Sequence, residues 1–138
     1  MYFHVIMPSS SHPGITERRQ RIEAIAKDQS IKVHFPHYSP GRSSFDFEST
    51  IRDLRNAEFV VADLSLERPS CYYEVGLAEA LSKRVHIVAE EGTVIHQTAG
   101  GEDVVFYGNI DQFTDRFKEI ISAEVGMRET NKGTKPTP

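Results

Sequence analysis

The chain has 138 residues and a formal charge of −4, which is enough length for one core and gives no general attraction to nucleic acid or anionic membrane. Long nucleic acid and membrane surfaces are therefore not expected partners, although a local basic pocket for a small phosphate is compatible with the balance. One cysteine, Cys71, leaves no internal disulfide, and Met1-Tyr2-Phe3-His4 runs straight into an apolar pattern with no basic leader, so a cytoplasmic protein is expected.

Tyr2 to Met7 is a short apolar run stopped by Pro8 and a serine cluster, which predicts a buried first strand ending in a loop. Ile22, Ile25 and Ala26 recur at helical spacing among Arg18, Arg19, Gln20, Glu23 and Lys27, predicting an amphipathic helix from Ile15 to about residue 29. Ile31 to Phe35 reads as a second strand, and His37 to Ser44 as a loop. Phe47, Ile51 and Leu54 set out a second helix ending near Asn56, and Phe59 to Asp63 is a third strand. Beyond Pro69, the residues Val75, Leu77, Ala78 and Leu81 mark a third helix over 71–82. Val85 to Ala89 and Val104 to Tyr107 read as the fourth and fifth strands, while Thr93-Val94-Ile95 fits either a short strand or a loop. Asn109 and Gln112 have capping-box spacing ahead of Phe113, Phe117, Ile120 and Ile121 on a last helix. Residues 128–138 are expected to be a disordered tail, which leaves a single domain over 1–127. No apolar run approaches the roughly 20 residues that cross a bilayer.

Strands and helices alternating at these lengths imply parallel pairing through right-handed crossovers. The expected fold is a three-layer, flavodoxin-like α/β sandwich of about five mostly parallel strands in the order 2-1-3-4-5. Ligands of such sheets sit beyond the carboxyl ends of the strands, where strand order reverses. The loops at Pro8–Gly14, Pro36–Ser44 and Asp63–Ser70 and the segment after Ala89 should converge there.

Glu74, expected in the first turn of the third helix, is placed where the helix dipole favours an ionised carboxylate. Such a group can attack an anomeric carbon or stabilise an oxocarbenium-like centre, and it can equally be an ordinary first-turn glutamate. Asp63 ends a buried strand at the ligand edge, fit either to contact a sugar or leaving base or to cap its own loop. Pro8, Ser9, Ser10 and Ser11 form a loop suited to phosphate or ribose, and Arg42 is a phosphate ligand or a plain loop arginine. Ser65 and Ser70 flank the loop between Asp63 and Glu74 and join the substrate-binding set, together with Tyr73; Tyr72 and Tyr73 suit a pocket wall, a subunit interface or helix-start packing. The six histidines show no metal-ligand spacing, so neither a metal nor a cofactor is expected. His4 and His86 alternate with apolar strand residues and read as packed; Cys71 reads as a small packing residue.

The stretch AEFVVADLSLERPSCYYEVGLAEALSKRVHIV resembles the core of the nucleoside 2-deoxyribosyltransferase family, including its nucleotide N-glycosidase branch. The shared features are a buried strand ending in Asp63, a loop, then Glu74, Gly76, Ala78 and Ala80 leading to the strand at Val85. The resemblance implies Glu74 as nucleophile, Asp63 in ribose or base contact, and a close approach at Gly76. It further implies a nucleoside or nucleotide substrate whose base-to-sugar bond is cut, and a homodimer or tetramer. Ser70-Cys71 stands where the transferases commonly carry Gly-Thr, and no aromatic ends the first strand as their activating tyrosine does, which favours hydrolysis over transfer. Pro69-Ser70-Cys71-Tyr72-Tyr73-Glu74-Val75-Gly76 is also similar to a pattern of Toll/interleukin-receptor-like nucleotide-binding domains. That group contains NAD-cleaving enzymes and nucleotide sensors, so a signalling module is the alternative.

Overall fold

The computed structural model describes residues 1–8, 14–36, 46–96, 98 and 103–133. In chain order the elements are β1 (Tyr2–Ile6), α1 (Ile15–Asp28), β2 (Lys32–His34), α2 (Phe47–Asn56) and β3 (Val60–Asp63). A 3-10 turn (Ser65–Glu67) then leads to α3 (Pro69–Ala80), β4 (Val85–Glu90), β5 (Val105–Tyr107) and α4 (Ile110–Gly133). The five strands form one parallel sheet in the order β2-β1-β3-β4-β5. This is the doubly wound arrangement expected from the sequence. Calls on Ser9, Ser10, Ser11 and Arg42 lie outside the described residues.

Strand side chains alternate between two covered faces, so each strand feeds two separate cores. Phe3, Val5, Phe59, Val61 and Val88 pack with Ile22 and Ile25 of α1 and Phe113, Phe117 and Ile121 of α4. Ile6, Val60, Ala62 and Ile87 pack with Leu54 of α2 and Cys71, Val75 and Ala78 of α3. This alternation also sorts the polar strand residues. His4, between Phe3 and Val5, belongs to the α2/α3 face, whereas Asp63, two residues past Val61, belongs to the α1/α4 face.

Helix ends follow their local chemistry. Asp46 caps α2 by accepting from the Ser49 N–H at 3.2 Å, and Asn109 caps α4 by accepting from Gln112 N–H at 2.9 Å. The Gln112 side chain reaches back to Gly108 N–H at 2.6 Å, one residue earlier than a strict capping box. Pro69 opens α3 because its fixed φ suits a first helical position and its missing N–H would have had no partner there. The helix thus starts two residues before the sequence expectation. Segment 93–95 is a loop, not a strand. Helix α4 continues past residue 127 to Gly133, through residues expected in the tail; Thr130 Oγ1 donates to Gly126 O at 3.0 Å and Arg128 reaches Glu58 at 3.9 Å. Among the described residues no helix is long and apolar enough to cross a membrane.

One buried carboxylate pins α4 to the start of β4. Arg84 donates to both oxygens of Glu124, at 2.9 and 2.5 Å, and His86 Nε2 lies 2.7 Å from Oε1. Burial works to raise the Glu124 carboxyl, and the bonds from Arg84 and His86 outweigh it, so it sits below its ordinary value of 4.5. A folded value below the unfolded one contributes stability that is complete above the unfolded value and lost as pH falls through the folded one. On acidification from about pH 5 to about pH 3, wild-type should therefore lose stability faster than Glu124→Gln, the two running parallel at higher pH in urea unfolding.

Candidate functional site

Two polar clusters lie on opposite faces of the sheet. The first belongs to the α2/α3 face. Glu74 is the sixth residue of α3, so it stands in the second turn and not the first, and the helix dipole that decays within one turn is not what holds its charge. The residue is 9% exposed, and Oε2 is sealed without a hydrogen bond among the described residues. His4 Nε2 of β1 faces it at 3.7 Å. His4 is 1% exposed, and neither ring nitrogen has a hydrogen bond among the described residues. Behind it the His34 ring of β2 lies 5.2 Å away, tilted by 34°, with Nε2 3.2 Å from Asp53 Oδ2 of α2. A buried carboxylate with so little compensation is held at an energetic cost, the arrangement expected of a reacting group more than of a structural one.

The second cluster belongs to the α1/α4 face. Asp63 has no exposed surface: Oδ1 accepts from Ser65 N–H at 3.0 Å and Oδ2 from Tyr107 O–H at 2.6 Å. Ser65 Oγ lies 3.1 Å from the Tyr107 hydroxyl and accepts from Glu90 N–H at 2.8 Å. Burial, with the Asp63 charge and hydrogen bond added, pushes the Tyr107 phenol well above its ordinary range, so it remains a donor. The Arg18 guanidinium covers the Tyr107 ring at 5.4 Å and pairs with Glu90. Asp63 is thereby engaged as the anchor of its own loop. That loop is strained: Leu66 and Glu67 hold φ of 69° and 51°, which costs about 1 kcal/mol each for residues with a side chain.

The remaining sequence candidates are scattered. Pro8 is buried at the end of β1, Ser65 belongs to the Asp63 network, and Ser70 is exposed at the start of α3. Tyr73 is half exposed. Its neighbour Tyr72 turns away to the segment after β4, accepting from His96 N–H at 3.0 Å, while His96 Nε2 lies 2.7 Å from Glu67. Apart from its chain neighbours and the backbone of its own helix, no described atom lies within 4 Å of where a Cβ of Gly76 would stand, so the close approach implied there has no partner among the other described residues. Cys71 is buried, and its thiol is pushed up to about 12, first by burial and then by the charges of Glu74 and Asp63. It is inert as a nucleophile. Among the described residues no His, Cys, Asp and Glu cluster could hold a metal. The sequence reading gave His4 a packing role and Tyr107 none, and the structure places them beside Glu74 and Asp63. The available signal was strand parity, which points His4 at the helix carrying Glu74.

No family model and no curated protein matches the chain. Solved structures do. The CMP N-glycosidase BcmB of Clostridium botulinum is 13% identical, with a TM-score of 0.63 over 84% of this chain and 98% of that one. The 2-deoxyribosyltransferase of Bacillus psychrosaccharolyticus is 14% identical, with a TM-score of 0.61 over 85% of this chain and 90% of that one. This chain has the nucleotide N-glycosidase and 2-deoxyribosyltransferase fold. At a broader level an archaeal flavodoxin, 12% identical, shares it with a TM-score of 0.54 over 92% and 98% of the two chains. Within the N-glycosidase-like fold, identities this low carry the architecture and leave the chemistry to the residues themselves.

Tyr107→Phe strips a buried donor from Asp63 and should destabilise the protein by about 1–3 kcal/mol in urea unfolding. The Cys71 thiol should resist alkylation at about pH 8 in the folded protein and react promptly in denaturant.

Proposed function

We propose that the protein hydrolyses the N-glycosidic bond of a nucleoside or nucleoside monophosphate, with Glu74 as the nucleophile. The observation that carries this reading is the Glu74 carboxylate, nearly buried in a fold shared with an N-glycosidase and a deoxyribosyltransferase, its Oε2 left without a hydrogen bond among the described residues. In the first step a Glu74 oxygen bonds to C1′ while the C1′–N bond breaks. The base leaves with that electron pair and takes a proton from solvent. Water then attacks C1′, the ester bond returns its pair to Glu74, and a proton goes back to solvent, so the sum is one water consumed for one base and one sugar released.

Asp63 acts in this reading through position. With both oxygens engaged it sets the loop from Ser65 to Arg68 that leads into α3, and the strain at Leu66 and Glu67 is offset by that anchor. Pro8, Ser9, Ser10, Ser11, Arg42 and Ser70 would supply the ribose and phosphate contacts. Leu66, Tyr73 and Val94 are exposed at 45%, 50% and 62%, apolar surface that a dimer or tetramer would cover.

Chromatography of reactions with a panel of nucleosides, nucleoside monophosphates and NAD should detect free base, and Glu74→Gln should lower its release by at least ~10³-fold. Thermal stabilisation by the substrate should survive in that variant. Stabilisation by a nucleotide with no base released from any panel member by the wild type would replace the glycosidase with a nucleotide-binding module.

A further inference from the structure

The N-glycosidase reading needs Glu74, but it gives no role to the buried imidazole beside it. His4 is the least expected residue on the α2/α3 face. Its neighbours on that face are Ile6, Val60 and Ala62, and an aliphatic side chain would have filled the same place without stranding two ring nitrogens. Only two titratable side chains face it among the described residues: Glu74 from α3, at 3.7 Å from Nε2, and His34 from β2, whose ring lies 5.2 Å away and is paired with Asp53 of α2. The strand on its other side, β3, presents Val60 across the pairing register and offers no charge.

We propose that His4 is the positioning residue of Glu74, holding Oε2 through its Nε2 and leaving Oε1 to attack the sugar. The inference rests on the glycosidase reading for its kinetic part and on geometry alone for the pairing itself. The gap of 3.7 Å is longer than a hydrogen bond and within one small rotation of the imidazole from becoming one. Apo catalytic contacts commonly tighten in this way when substrate arrives.

The chemistry assigns a direction to the effect. A donor on Oε2 stabilises the carboxylate and so gives no help to its attack. Once the C1′–Oε1 bond has formed, Oε2 is an ester carbonyl. When water then displaces the sugar from Oε1, the electron pair returns to the carboxylate, and an N–H aimed at Oε2 stabilises that departing charge. His4 therefore serves the second step, and it does so without itself bonding to substrate. A lysine or arginine in its place would keep Glu74 permanently paired and blunt the first step.

The test combines steady-state and rapid-mixing kinetics of base release with nitrogen NMR of the His4 ring at one fixed pH. His4→Phe should lower kcat by about 10- to 100-fold while kcat/KM, which reports the first step, changes by less than about threefold, with a burst of free base before the steady state. His4→Gln, which restores an N–H donor and does not titrate, should recover most of the loss. Without substrate, the His4 Nε2 resonance should move between the wild type and Glu74→Gln at the same pH, since the substitution replaces the carboxylate oxygen that faces the ring. Equal falls in kcat and kcat/KM, or a His4 Nε2 resonance indifferent to Glu74→Gln, would overturn the proposal. A wild type that releases no base would overturn Glu74 as nucleophile and with it the kinetic role, and the ring resonance then decides the pairing independently.

Discussion

The pleat of a parallel sheet covered on both sides governs everything polar in this molecule. Because side chains alternate, residues adjacent along a strand are delivered to different helical layers and meet different partners. Phe3 and His4 differ by one position, and one stacks on Phe59 while the other faces Glu74. Asp63 follows Ala62 and is sent to the layer of Tyr107, away from the α3 carboxylate that a linear reading places beside it. The sheet separates two acidic groups that would repel each other in a shared pocket of low dielectric. One is satisfied by an N–H and a phenol, and the other is left under-compensated.

The two carboxylates are thereby left in different states. Asp63 is held as an anchor by two hydrogen bonds and complete burial. Glu74 differs in that its Oε2 has no hydrogen bond among the described residues. The loop between them runs from the bonded carboxylate through two left-handed residues to Pro69, so the position of α3 is coupled to the network around Tyr107. The cost of the strained turn is carried where the packing on both sides overdetermines the backbone.

The strand order and the helix spans were legible because they rest on local pattern. The runs at Tyr2–Met7 and Phe59–Asp63, the spacing of Ile22, Ile25 and Ala26, and the cap at Asn109 each carry their own signal. The start of α3 was misplaced because Pro69 was taken as a loop residue, and the same two-residue error gave Glu74 a dipole that it does not have. The reach of α4 was underestimated because its last turns are polar, and polarity resembles a tail unless the contact from Arg128 to Glu58 is known. The pairing of His4 with Glu74 and of Tyr107 with Asp63 depends on partners 44 or more residues distant, for which parity alone gives a face and never a distance.

The bond from Tyr107 to Asp63 spans a strand: β3 and β5 are not neighbours, and β4 lies between them. During synthesis the chain therefore delivers Glu74, its helix and the strand bearing His4 well before it delivers the phenol that fixes the loop ahead of that helix. A nascent chain that ends short of β5 already holds α2, α3 and their strands, yet its Asp63 still lacks the phenol that fills Oδ2 and the helix α4 that covers its face. Assembly of the α2/α3 layer and completion of the α1/α4 layer are thus separated along the chain, and β5 and then α4 are the last elements delivered.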